Sequence, residues 1–278
     1  MQGLDMAQQA MAFAPLVLAL VVAGLVAGGI GGLFGVGGGA VLVPVLYQLF
    51  IALGVDEAVR MQLAVGTSLG IIVPTSLRSF QSHVSHGAVD FPYLRKVAVW
   101  VIFGVALGSL VAYVISGRQL RALFAILAMG MAIKILLGRS DWQLWEDFPP
   151  TPILRALTTG IGFFSVLMGI GGGIFNNILM PLFGRSIHRA VATSSGIGVL
   201  ISIPGVVGFM LAGMGKEGLP DYSLGFVSLL GVALVIPASI FAAPYGAKLA
   251  HSLSKNVLQK SFAFFLILVS LRFIVSLT

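Results

Sequence analysis

Two glycine clusters are the residues of this chain best suited to chemistry. Gly35-Val-Gly-Gly-Gly39 and Gly169-Ile-Gly-Gly-Gly173 each crowd glycines into five residues, and each is followed by a short apolar run. Glycine at that density is poor helix, so the chain should break at both places. The backbone N–H groups of Gly37, Gly38 and Gly39, and of Gly171, Gly172 and Gly173, then stand where a new helix starts. Unpaired donors and the positive end of a helix dipole favour an anion there. Downstream of the clusters lie Thr67-Ser68 and Thr193-Ser194, the second pair followed by Ser195. Their hydroxyls can donate to a carboxylate, sulfonate or sulfite oxygen. Asn176 and Asn177 stand where the first copy of the pattern has Leu42 and Val43. An amide among apolar neighbours needs a ligand or an interhelical hydrogen bond. Arg78 and Gln81 follow the first Thr-Ser pair, and Arg78 could draw anions toward a vestibule.

Each of these features also has a plainer role. Gly24, Gly28 and Gly32, like Ser165, Gly169 and Gly173, are small residues at four-residue spacing, the pattern of close helix packing. A Ser or Thr inside a helix can bond the carbonyl one turn back. Arg78 can simply snorkel to the interface, and His83 and His86 have no metal-ligand partners near them in sequence.

What is missing narrows the chemistry. All nine acidic residues fall outside the apolar segments, whereas a cation pump or divalent-metal carrier would keep a carboxylate in the membrane. The chain has no cysteine, which excludes disulfides and thiolate metal sites. No intramembrane protease motif occurs, and the glycine clusters lack the Lys-Ser/Thr tail of a phosphate-binding loop. No enzyme activity, cofactor or metal is expected. The net charge of +7 is spread thinly between helices, which argues against nucleic acid as a partner.

The elements that must hold these residues are membrane helices. Of 278 residues 58% are hydrophobic and 9% charged, too few charges for a water-facing surface. Ten apolar segments can be drawn, at 12–34, 40–53, 60–82, 92–116, 119–138, 152–168, 174–184, 190–213, 222–250 and 256–277. The first lacks a basic flank and reads as a retained helix. Segments 40–53 and 174–184 would rise only roughly 21 and 17 Å, short of a ~30 Å hydrocarbon core. Each is a short crossing or a re-entrant segment, and either way returns the chain to the side it started from. The polar pieces repeat in order: Ala64-Val-Gly-Thr-Ser-Leu-Gly70 matches Ala190-Val-Ala-Thr-Ser-Ser-Gly196.

The expected fold is an all-α polytopic membrane protein of two five-segment repeats, 1–138 and 152–278, joined by a cytoplasmic linker at 139–151. Two odd repeats in tandem lie in opposite orientations, the inverted arrangement of many carriers. With the N-terminus outside, eleven of the sixteen Lys and Arg residues lie inside, against Arg60, Arg118, Arg121 and Lys216 outside. That distribution obeys the positive-inside rule.

The run Gly31-Gly-Leu-Phe-Gly-Val-Gly-Gly-Gly-Ala40 leading to Pro44, the segment Ala64 to Gly70, and their second copies resemble the sulfite exporter TauE/SafE family of membrane permeases. The resemblance spans nearly the whole chain. It implies export of sulfite, sulfoacetate or related organosulfur anions from a bacterial cytoplasm. The expectation is thus an inner-membrane carrier for a small anion, working by alternating access around the glycine breaks and Thr-Ser pairs. An anion channel or uniporter is the alternative, and a homodimer is compatible with the sequence. Moving one negative charge out of a negative interior releases roughly 2.3 kcal/mol per 100 mV, so export could run on the potential alone.

Overall fold

The computed structural model describes residues 2–34, 39–137, 144–145 and 147–277, without the side chains of 2–13, 32–34, 247, 250, 251 and 255. Gly37 and Gly38, and residues 139–143 and 146 of the expected linker, lie outside the described residues. Among the described residues ten helices follow one another: α1 (Gln2–Phe34), α2 (Gly39–Ala52), α3 (Glu57–Ser85), α4 (Phe91–Val114), α5 (Gly117–Leu137), α6 (Thr151–Leu167), α7 (Gly173–Leu182), α8 (Ile187–Ala212), α9 (Leu229–Ser252) and α10 (Lys255–Val275). Among the described residues, seven are long and apolar enough to cross a membrane; α2, α6 and α7 are shorter. The protein is an all-α polytopic membrane protein.

Polar side chains mark where several helices begin. Asp56 accepts from Ala58 N, Asp90 from Tyr93 N, Ser186 from Arg189 N and Ser254 from Val257 N. Each satisfies one of the first-turn donors that a helix cannot pair internally. The expected apolar segment 222–250 needs correction. Its first residues form a two-stranded antiparallel hairpin, β1 (Ser223–Leu224) with β2 (Val227–Ser228), and α9 starts only at Leu229. Hydropathy runs unbroken through this stretch, so it could not show the turn at Gly225 and Phe226.

Helix directions follow from the contacts. Along α3 and α8, Gly66 lies at Phe209, Gly70 at Val206 and Ser76 at Gly198, so contacts advance on one helix as they retreat on the other. These two run antiparallel. So do α5 and α10, where Ser270 donates to Ala125 O and Arg118 to Leu277 O. In contrast, Gly24 meets Val235 and Gly28 meets Ser239, which makes α1 and α9 parallel. Gly104 at Thr159 and Gly108 at Phe163 make α4 and α6 parallel too.

Both parallel seams are built on small residues. A Cβ on Gly28 would fall 2.4 Å from Ser239 O, and one on Gly104 would fall 2.0 Å from Thr159 O. Lipid offers no hydrophobic drive for helix association, so backbones approach this closely for dispersion contacts. Gly24 and Gly28 are therefore packing residues, with Ser239 Oγ donating to Gly24 O at 3.0 Å.

Charges gather at the two ends of the bundle. At one end buried Asp90 lies 3.9 Å from Arg185 Nε and 3.8 Å from Arg189 Nε. At the other, buried Arg121 bonds Glu57 at 2.8 Å and the Tyr47 hydroxyl.

Candidate functional site

The second glycine cluster interrupts the chain in the middle of the bundle. α6 ends at Leu167 and α7 begins at Gly173, with Gly169 at φ +63° and Gly172 at φ +69° between them. That left-handed backbone is strained for any residue with a Cβ. Gly172 occupies the N-cap position of α7 and has no side chain to cap it. The first-turn N–H groups of α7 have no intrahelical partner and, among the described residues, no side-chain partner, and the positive dipole end sits with them. Gly39, where α2 starts, abuts this break: a Cβ there would fall 2.8 Å from Ile170 Cα. Buried Ser68 fastens the break by donating to Gly169 O at 2.8 Å.

Beside the break lies a cavity of about 120 Å³, lined by α3, α8 and the start of α7. From α3 come Ile72, Thr75, Ser76 and Ser79; from α8 come Val191, Ser194, Ser195 and Gly198. Both sets follow i, i+3, i+4, i+7, one face of a helix. Gly171, Gly173 and Asn177 complete the wall. Among the described residues no charged side chain lines it, which leaves hydroxyls, an amide and backbone groups for ligand recognition. Ser79 is exposed and marks the mouth.

A chain of hydrogen bonds leads into this cavity. The Tyr93 hydroxyl donates to Asn176 Oδ1 at 2.9 Å, Asn176 Nδ2 donates to Ser194 Oγ at 2.8 Å, and Ser194 donates to Asn177 Oδ1 at 2.7 Å. Asn176 is fully buried, so its amide is satisfied between helices, while Asn177 faces the cavity.

The residues singled out from sequence thus separate into groups. Gly171, Gly173, Asn177, Ser194 and Ser195 line the cavity; Gly172, Asn176 and Ser68 stand directly behind it. Ser195 also back-bonds to Ala192 O at 2.5 Å. Thr67 and Thr193 are not brought to the cavity. Both are fully buried, and each accepts a backbone N–H from the residue just before another helix, Ser228 before α9 at 3.0 Å and Asp90 before α4 at 2.9 Å. Arg78 and Gln81 are exposed on α3 and do not line the cavity.

Sequence reasoning passed over Thr75, Ser76, Ser79 and Gly198. A signal existed: three hydroxyls on one face of α3, two turns beyond the first Thr-Ser pair. Tyr93 carried no such signal, as a single tyrosine near the start of an apolar helix.

The family model described as Sulfite exporter TauE/SafE matches residues 20–273. A probable membrane transporter protein of Haemophilus influenzae is 32% identical over 259 residues, covering 92% of this chain and 97% of that protein. A probable membrane transporter protein of Methanocaldococcus jannaschii is 30% identical over 244 residues, covering 86% and 88%. A third, YunE of Bacillus subtilis, is 27% identical over 274 residues, covering 92% and 96%. No solved structure matches the chain significantly.

Proposed function

The chain belongs to the sulfite exporter TauE/SafE family, and from that premise we propose that this multi-pass membrane transporter is a secondary carrier exporting a small sulfur oxyanion, such as sulfite or sulfoacetate. The observation that carries the proposal is the cavity at the α7 break. It offers hydroxyls, an amide and the first-turn end of a helix and, among the described residues, no carboxylate. A cation would meet no countercharge there, whereas an oxyanion would meet donors and the favourable end of a dipole.

Alternating access is supported by how the helices pair. The first helix of each proposed repeat packs in parallel on the fourth helix of the other, α1 on α9 and α6 on α4. The third helices, α3 and α8, run antiparallel, as do the fifth, α5 and α10. Those four relations are what two oppositely oriented copies would produce. The N-terminus is proposed to be periplasmic, which places the Asp90, Arg185 and Arg189 end in the cytoplasm, in line with the positive-inside rule.

The experiment is efflux of labelled sulfite or sulfoacetate from loaded proteoliposomes, with taurine and sulfate as competitors. A carrier gives saturable efflux with counterflow, slowed when the potential is collapsed at constant pH gradient. Flux linear in concentration without counterflow would instead identify a channel.

A further inference from the structure

The hydrogen-bond chain that ends at the cavity has a direction. In the sense found, Tyr93 donates to Asn176, Asn176 to Ser194 and Ser194 to Asn177 Oδ1. Asn177 Oδ1 is thereby occupied. Its Nδ2, with two hydrogens, has no hydrogen-bond acceptor among the described residues and belongs to a residue lining the cavity.

The same heavy atoms would also accept the reverse sense. With both amides turned over, Asn177 Nδ2 would donate to Ser194, Ser194 to Asn176 Oδ1, and Asn176 Nδ2 to the Tyr93 oxygen. The cavity would then face a carbonyl. Serine and asparagine cannot choose, because each can both donate and accept. Tyr93 breaks the tie. It is fully buried, its ring stacked on Phe148 at 5.0 Å and 15°, and Asn176 is the one hydrogen-bond partner of its hydroxyl among the described residues. Reversal would strand the phenolic hydrogen without an acceptor, a penalty that shifts the balance by roughly tenfold or more.

We infer that Tyr93, which does not touch the cavity, is a positioning residue that fixes the wall as a donor surface. The site then selects ligands presenting oxygen acceptors over ligands presenting N–H groups. This rests on the reading of the cavity as the substrate site. It adds the element that sets the polarity of that site.

Two readouts test it. The chain holds three asparagines, Asn176, Asn177 and Asn256, so asparagine-labelled protein gives few side-chain amide signals and needs no ligand. Tyr93→Phe should shift the Asn177 signal, and an unchanged signal overturns the inference. Asn176→Asp, which can only accept, forces Ser194 to donate backwards and should produce the same shift, which keeps the test open if Tyr93→Phe accumulates poorly. In the second readout, Tyr93→Phe should weaken sulfite binding roughly tenfold and have no further effect in an Asn177→Ala background. Additive losses would reduce Tyr93 to general support of the fold and overturn the inference. Should the wild-type protein bind none of sulfite, sulfoacetate and sulfate while the amide signal still shifts, the substrate reading fails and the positioning role survives.

Discussion

The two Thr-Ser pairs are alike in sequence and do different things in the structure. Thr67 and Thr193 still match: each takes a backbone N–H from the residue that introduces the next packed element, Ser228 or Asp90. The serines have parted. Ser68 holds the second glycine break through Gly169 O, whereas Ser194 lies between Asn176 and Asn177 and lines the cavity. The threonine contacts are thus common to both pairs, whereas only the second serine reaches the cavity. Asn176 and Asn177, which stand where the first pattern has Leu42 and Val43, are the partners of that second serine.

Substitutions at the glycine break should disturb this contrast most. Gly169→Ala adds a Cβ 2.7 Å from Val43 Cγ2 and 3.0 Å from Val65 O, on a backbone at φ +63°. Strain and overpacking together should cost about 2–5 kcal/mol, read as a collapse of the thermal melting temperature in detergent. Gly173→Ala is the contrast, since a Cβ there meets nothing within 4 Å. It should melt like the wild type and transport less, because Gly173 lines the cavity.

The serines come next. Ser194→Ala should raise the KM for sulfite efflux by roughly tenfold through loss of the ordered amide, and Ser68→Ala should leave KM alone while lowering stability by about 1 kcal/mol. Equal KM effects from both would mean that the two halves share the site. The threonines should behave as twins. Thr67→Val and Thr193→Val each leave a buried N–H unpaired and should each destabilise by about 1–3 kcal/mol, with unchanged KM in both. A KM effect confined to one threonine would break the symmetry of the two threonines. Arg78→Gln should have the smallest effect, a slowing of about twofold at low ionic strength that disappears at high salt, as expected for an exposed charge outside the cavity.

The break at Gly169 to Gly173 was legible in the sequence because glycine density, a short following segment and a second copy all pointed to it. The membrane class was legible from composition alone. The roles of Thr67 and Thr193 were not, because their partners arrive from the starts of α9 and α4 through packing between distant segments. The α3 wall was half legible, as Thr75, Ser76 and Ser79 share a face that only the crossing with α8 turns into a cavity. Nor could hydropathy reveal the hairpin at 223–228, where Leu224, Phe226 and Val227 keep the stretch largely apolar while the backbone turns.

The most direct test replaces Asn177 with valine, the residue at the matching position of the first copy, and measures the KM for sulfite efflux from proteoliposomes beside the wild type. With the anion held at the second break, Asn177→Val should insert and melt normally while its KM rises at least roughly tenfold. An unchanged KM with normal flux would place the transported anion somewhere other than this cavity.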